Sequence, residues 1–463
     1  MIPFAGRIFI FGYGMVGKSF VRLLKNEVIF EMKNLFVIDM ALDDRDEFIK
    51  EGGFKDNYYV HHVTKDNHIS IYEKYLREGD ALLDFSEKTS NNDTLTWCLE
   101  NGVFYLSTSA SSWPEDDASI SAYDQFVSLI ERERKYQKGY PTAVVEIGCN
   151  PGLVSLFAKK ALRKMAQMVD TKLFSEEALT LLHEYQRKGQ SNLLAQALAI
   201  DTIIISDYDT LSVNGEMNND DTLYSTWSPS GLYDEAVAHV EFRLGTDFDI
   251  NKIQDKVKIY HANDGYIKLN LKGIDTLEKT YSPHGYFEGH LITHEETMSL
   301  ASYLSVLDEE GLSLYRPTAY FSYRPNELAV QALAKVKQSA YQKPKAFKKL
   351  DETLVSGGEY VGVIIHSKTH GAYYYGSGLE LDVLKRDYPK ETPTIIQVTA
   401  TAISAFKWML KNPNLGLVLP EKLPEDEILK DAQKYLKQYD FHMIKESIIP
   451  LQGLLDKSTD DKK

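Results

Sequence analysis

One short segment restricts this chain to a single family of folds at its start. Gly12-Tyr13-Gly14-Met15-Val16-Gly17 follows the run Arg7-Ile8-Phe9-Ile10-Phe11 and precedes a helical pattern over residues 18–26, with Phe20, Leu23 and Leu24 at helical spacing. The run has no polar break after Arg7, as in a strand buried on both faces of a parallel sheet. A second apolar run, Leu35-Phe36-Val37-Ile38, ends on Asp39, 22 residues beyond Gly17. Strand, glycines, helix, strand and terminal acid in this order make a dinucleotide-binding fingerprint. Gly12 permits the tight turn, Gly14 lets backbone approach a pyrophosphate, and Gly17 lets helix pack on strand. Asp39 favours a free ribose 2′-hydroxyl and hence NAD, while Arg45 is the one nearby group suited to NADP.

The α/β alternation continues. Strands are expected at 57–60, 81–85, 103–106 and 143–147, with helices at 69–77, 94–101 and 122–138. Ligands of such sheets lie beyond the carboxyl ends of the strands, so the loops at 86–89 and 107–114, with Ser86 and Thr108, should rim the cofactor. After the last strand comes Gly148-Cys149-Asn150-Pro151-Gly152. Asn150 suits two roles equally: cap of the next helix, with Pro151 in its first turn, or a polar group beside the nicotinamide.

Beyond about residue 153 the rhythm loosens and charge becomes informative. The whole chain carries 52 Lys and Arg against 67 Asp and Glu, a formal net charge of −15. That balance argues against a nucleic-acid or anionic-membrane partner. Residues 189–242 contain no Lys or Arg, but do contain Asp201, Asp207, Asp209, Glu216, Asp220, Asp221, Asp234, Glu235 and Glu241. A carboxylate substrate would want an arginine here, whereas an ammonium or iminium wants carboxylates and an aromatic face, which Trp227 supplies.

His290 and His294, in Gly289-His290-Leu291-Ile292-Thr293-His294-Glu295-Glu296, could share a face as metal ligands. Acid–base work by a histidine among carboxylates suits the segment better, and no metal is expected. Aromatic residues between glycines at 371–378 read as a strand entering a turn, and the Lys-rich stretch 335–349 as a solvated helix and linker. Two cysteines, Cys98 and Cys149, make no disulfide framework, which suits a reducing cytoplasm. No apolar run approaches a membrane span, and no signal peptide is expected.

These segments together resemble the bacterial homospermidine synthases of the saccharopine dehydrogenase-like superfamily. The resemblance spans the chain and rests on residues 12–17, Asn150-Pro151-Gly152, Thr226-Trp227-Ser228 with Glu235, residues 291–296, residues 371–377 and Gln397-Val398-Thr399-Ala400. It implies aminobutyl transfer between two putrescine molecules through an imine, with NAD borrowing and returning a hydride and ammonia released. By the same resemblance Trp227 stabilises the cationic intermediate, and Glu235 and Asp207 hold ammonium groups. Asn150 lies between nicotinamide and substrate, and His294 and Glu296 shuttle protons; a homodimer is implied as well. Lys88 and Ser111 stand where the family carries acids, and Asp207 where it carries Glu, departures that bear on the preferred diamine.

The expected architecture is α/β. A Rossmann NAD-binding domain over 1–150 precedes an α+β substrate and dimerisation domain over 151–390, a helical return to the first over 391–455, and a disordered tail over 456–463. Two other functions fit less well. A saccharopine- or carboxyspermidine-type NAD(P) dehydrogenase would need an arginine in the acidic stretch. A non-enzymatic NAD-binding regulator would leave the grouping of Trp227, Glu235 and His294 without purpose.

Overall fold

A computed structural model describes residues 1–116, 120–214, 221–351 and 353–456. The chain divides into two compact units, one of Met1–Leu156 with Ile395–Lys437, the other of Phe157–Thr394 with the chain from Gln438 on.

The first unit is built on seven parallel strands in the spatial order Leu417–Val418, Ala143–Val144, Phe104–Ser107, Ala81–Asp84, Ile8–Phe11, Leu35–Asp39 and Tyr58–Val60. Ile8–Phe11 and Ala81–Asp84 are buried along their whole length, the condition of central strands covered by helices on both faces. The strand expected at 143–147 is only Ala143–Val144, because Glu146 takes a φ of +54° and turns the chain out of the sheet. A helix not foreseen, Arg45–Lys50, follows Asp39.

The returning segment is fastened by buried polar groups as well as by the strand Leu417–Val418. Lys407 on the helix Pro393–Lys411 pairs with Glu27 and Asp431, and the Tyr435 hydroxyl donates to Glu27 at 2.7 Å. Ser19 and Thr399 share a hydrogen bond of 2.9 Å. These contacts join the helix that follows the glycines, Met15–Glu27, to the C-terminal helices.

The second unit holds a ten-stranded mixed sheet. Its path runs Val257–His261, Tyr266–Lys272, His239–Arg243, Thr318–Arg324, Ile200–Asp209, Gly358–Ser367, Gly371–Glu380, Tyr439–Met443. Gly285–Ile292 also pairs with Thr318–Arg324, and Glu278–Ser282 with Gly285–Ile292. The aromatic segment at 371–378 is therefore a strand interior, and residues 346–349 form a strand beside Thr222–Ser225 rather than a linker.

The domain limits differ from expectation. The first unit runs to Leu156, and its return spans Ile395–Lys437 rather than 391–455. From Tyr439 the chain belongs to the second sheet, where Tyr439 and Phe441 lie opposite Ser377 and Tyr375, and Phe441 stacks on Tyr373 at 5.8 Å. Beyond it, the Glu278 carboxylate accepts the backbone N–H groups of Gly453 and Leu454 at 3.1 and 3.0 Å. The tail expected to be disordered lies outside the described residues from position 457 on.

Removing one partner of a buried ion pair strands the other in a medium that solvates it poorly. Glu27→Ala should therefore lower stability by about 3 kcal/mol in urea unfolding. An exposed pair such as Lys188–Glu184, half-open to water on both sides, should yield less than about 1 kcal/mol when broken.

Candidate active site

In the first unit each glycine of the fingerprint has a separate geometric duty. Gly12 has φ +83°, and a Cβ there would lie 2.8 Å from the Phe85 backbone. A Cβ on Gly17 would stand 2.3 Å from the Gly12 carbonyl oxygen, so this helix can pack on this turn only with glycine. Around Gly14, at the N-terminus of Met15–Glu27, nothing lies within 4 Å of a built Cβ. That gap, with the free N–H groups of the helix start, is the cradle a pyrophosphate requires.

Asp39 closes the strand Leu35–Asp39 and accepts the Tyr13 N–H at 2.6 Å and the Ala41 N–H at 2.9 Å. Tyr13 thus serves the cradle through its backbone. Its side chain turns into the core against Phe48 and Tyr58, with ring centroids at 5.5 and 6.1 Å. Asp39, Asp43 and Asp44 together push the Tyr58 hydroxyl upward, added to its burial, and Arg45 only partly offsets them. This negative surround disfavours a 2′-phosphate, which fits NAD over NADP.

The two loops beyond the strands are tied to each other. Asp84, fully buried and raised by that burial, accepts from the Ser86 N–H and hydroxyl at 3.0 and 2.6 Å, from Tyr105 at 2.7 Å and from Asn91 at 3.1 Å. Asn91 in turn receives the Ser111 N–H at 2.5 Å and donates its own N–H to the Ser111 carbonyl at 3.0 Å. Ser86 is held by this network, and Thr108 sits between its loop and Gly148, its carbonyl 3.2 Å from a built Cβ there. Lys88 is exposed with φ +66°.

Asn150 stands three residues before the next helix. The next helix is Leu153–Met168, and the Leu153 N–H bonds to the Gly148 carbonyl at 3.1 Å. A closed turn, with Gly148 N–H on the Pro151 carbonyl at 2.8 Å and Gly152 at φ +120°, stands between Asn150 and that helix. The Asn150–Pro151 peptide is cis.

The second unit carries the carboxylate–aromatic group. Direct register partners share a sheet face. Asp207 lies between Tyr323 and Val361, and Asp209 is opposite Glu359, so these residues project from one face, with Phe321 two places before Tyr323. Trp227 donates its indole N–H to the Tyr323 hydroxyl at 3.1 Å. Thr226, just before it, donates to Asp209 at 2.7 Å.

His294 ends the approach from Gly285–Ile292 and precedes the helix Glu295–Tyr303, with extended backbone at φ −150°. Its Nδ1 is bonded to Glu296, its Nε2 lies 4.0 Å from Glu235, and its ring meets Phe321 edge-on at 5.2 Å. Exposure falls along this line: the Glu235 side chain is 25% exposed, His294 11% and Glu296 1%. His294 is pushed up to about 10 because the attraction of Glu296, Glu235 and Glu295 overcomes its desolvation. Glu235 is pushed up to about 8 by burial, with Glu295, Glu296 and Asp207 adding to the rise and His294 opposing it. Burial likewise lifts Asp209 to about 6 and holds Glu359 well above the carboxylate range.

His290 stands apart from this line. Its Nδ1 contacts the Thr276 carbonyl at 2.6 Å, and burial lowers it. Among the described residues no set of His, Cys, Asp and Glu side chains has the geometry of a metal site.

Not every acid of the Lys-free stretch belongs here. Asp201 pairs with His366, Glu241 with Lys268 and Asp221 with Lys345, while Glu216 and Asp220 lie outside the described residues. Sequence reasoning missed Glu359, Tyr323 and Asp84. Glu359 had one legible signal, a lone acid at the head of the apolar run Tyr360-Val361-Gly362-Val363-Ile364-Ile365.

Residues 8–144 match the saccharopine dehydrogenase NADP binding domain family. The chain is 29% identical over 443 residues to the homospermidine synthase of Blastochloris viridis, covering 93% of this chain and 90% of that protein. It is 28% identical over 443 residues to that of Mesorhizobium japonicum, covering 93% and 89%. The crystal structure of a homospermidine synthase from Legionella pneumophila in complex with NAD superposes with a TM-score of 0.84 at 25% identity, covering 96% of this chain and 93% of that one. Saccharopine dehydrogenase from Saccharomyces cerevisiae shares the fold, with a TM-score of 0.52 at 12% identity, 95% of this chain and all of that one being covered.

Two measurements check this geometry. Gly17→Ala should unfold the turn itself, whereas Gly14→Ala should keep the melting temperature within about 2 °C and still weaken NAD binding at least about 10-fold. Fluorescence titration alongside thermal melting separates the two. Second, Glu235, Glu278 (raised by burial to about 7) and Asp209 hold protons when folded that the unfolded chain has released, and so does His294. A folded state that binds the extra protons loses stability as pH rises, for the carboxyls above about pH 4.5 and for His294 above about pH 6.5. The melting temperature should therefore fall steadily from about pH 6 to pH 9.

Proposed function

We propose that this chain is a homospermidine synthase of the saccharopine dehydrogenase-like superfamily, transferring an aminobutyl group between two putrescine molecules with NAD as its cofactor. The observation that carries this reading is the line Glu235–His294–Glu296, linked to Trp227 through Phe321 and Tyr323, in a chain that matches such enzymes over 93% of its length. Bound NAD accepts a hydride from the carbon bearing one putrescine amine and later returns it, so the reaction has no net redox change.

The chain's own residues do the rest. An ammonium must lose a proton before its carbon can release hydride, and Glu235, raised to about 8, is poised as the base. His294, held cationic by Glu296, keeps Glu235 in place and passes protons inward. Once hydride has left, the substrate nitrogen is an iminium, which the Trp227 ring stabilises by cation–π attraction. The amine of a second putrescine adds to the imine carbon and ammonia departs with one of the protons held on the Glu235–His294 pair. Hydride return to the resulting imine gives homospermidine. Asp207, with Asp209 and Glu359 on the same face, holds the distal ammonium. Asn150 and the loops carrying Ser86 and Thr108 orient the nicotinamide end of the cofactor, with Met15 and Val16 lining the pyrophosphate.

A homodimer in the cytoplasm belongs to the same proposal. Cys98 and Cys149 are buried and not joined in a disulfide, which suits a reducing compartment, and the dimer is carried by the likeness to this family. No helix among the described residues is long and apolar enough to cross a membrane.

Purified protein with putrescine and NAD should yield homospermidine and ammonia by mass spectrometry, without accumulation of NADH absorbance. NADH rising in step with product would instead identify a dehydrogenase. Glu235→Gln should cut kcat by at least about 100-fold, and the rise of wild-type kcat/KM with pH, which reports the free enzyme, should centre near pH 8, where Glu235 releases its proton.

A further inference from the structure

The indole of Trp227 is gripped at both ends. At the pyrrole end its N–H donates to the Tyr323 hydroxyl at 3.1 Å. At the benzo end Gly231 approaches so closely that a Cβ there would lie 2.8 Å from Cζ3 and 3.2 Å from Cη2. The Trp227 backbone N–H is fixed on the Ser225 hydroxyl at 3.2 Å. Tyr323 is itself immovable: it is 3% exposed, lies in the strand Thr318–Arg324 opposite Asp207, and stacks on Phe321 at 6.0 Å and 19°. Phe321 in turn packs against His294. Burial and the carboxylates Asp209, Asp207 and Glu359 hold the phenol well above its ordinary range, so it keeps its proton and remains a neutral acceptor.

We propose that Tyr323 is the positioning residue of the amine site, holding the Trp227 ring plane in place through the indole N–H before any cation arrives. This rests on the function proposed above. Attraction between a cation and an aromatic ring depends on the cation standing over the ring face. A half-exposed tryptophan held by its backbone alone would swing among rotamers, and the attraction would average away. The hydroxyl removes that freedom. Tyr323 needs no contact with substrate, since its whole effect passes through Trp227.

A double-mutant cycle tests this directly. Trp227→Phe keeps an aromatic face but has no N–H to hold. Tyr323→Phe should lower kcat about 10-fold in the wild type, with the KM for NAD unchanged. In the Trp227→Phe background the same change should cost less than about 2-fold, the coupling expected of two groups that act as one. Equal losses in both backgrounds would overturn the proposal. An independent reading needs no activity: the indole ¹⁵N–¹H resonance that disappears in Trp227→Phe should shift in Tyr323→Phe, and an unmoved resonance would overturn the proposal as well. Gly231→Ala crowds the other end of the ring and should reproduce the kcat loss, so the test survives even if Tyr323→Phe fails to fold. If the wild type made no homospermidine, the function would be wrong while the resonance still judged the grip.

Discussion

Burying carboxyl groups without matching cations is costly, and the second unit does it repeatedly. Asp209, Glu235, Glu295 and Glu359 are all driven upward, in each case chiefly by loss of water. A single imidazole, His294, is the cation that Glu235, Glu295 and Glu296 share. Such a surface is incomplete by its own electrostatics: it is stabilised by protons at low pH or by ammonium groups at neutral pH. A ligand that brings two cations on a flexible apolar stem answers both needs.

The two units answer different physical problems. The first gathers backbone donors around an open gap at Gly14, where a polyanion can sit without a positively charged side chain in the cradle. The second gathers acceptors and aromatic faces and leaves them short of positive charge. The proposed aminobutyl transfer would use both environments, because its cofactor is anionic and its proposed substrates are cationic.

What could be read in the sequence was whatever a short local pattern fixes. The glycines, Asp39 and the first strands follow from steric rules within some thirty residues, and the structure has them in the expected order. The candidate site was half legible. Trp227, Glu235 and His294 stood out by chemistry, and Asp207 by likeness to a family. Glu359 and Tyr323 did not, because sheet register puts them opposite Asp209 and Asp207 from strands far away in sequence. The place of the Tyr13 ring was illegible for a related reason. Its neighbours in the motif face the cradle, but its own ring finds Phe48 and Tyr58, and two aromatic contacts outweigh what a partly wet site offers. Asn150 suited a cap by composition, yet the turn through Pro151 and Gly152 displaced the helix start to Leu153.

The interrupted course of the first unit bears on how the protein is made. Ala143–Val144 gains its outer neighbour only when Leu417–Val418 emerges, and Thr142 meets the carbonyl of Asn412 across 270 residues. During synthesis the long Phe157–Thr394 part of the second unit leaves the ribosome while the nascent sheet has a bare apolar edge. Glu27 likewise waits for Lys407 and Tyr435. A growing chain of this design therefore spends most of its synthesis time with its nucleotide-binding half unfinished, which makes that edge a natural client for a chaperone until the last seventy or so residues arrive.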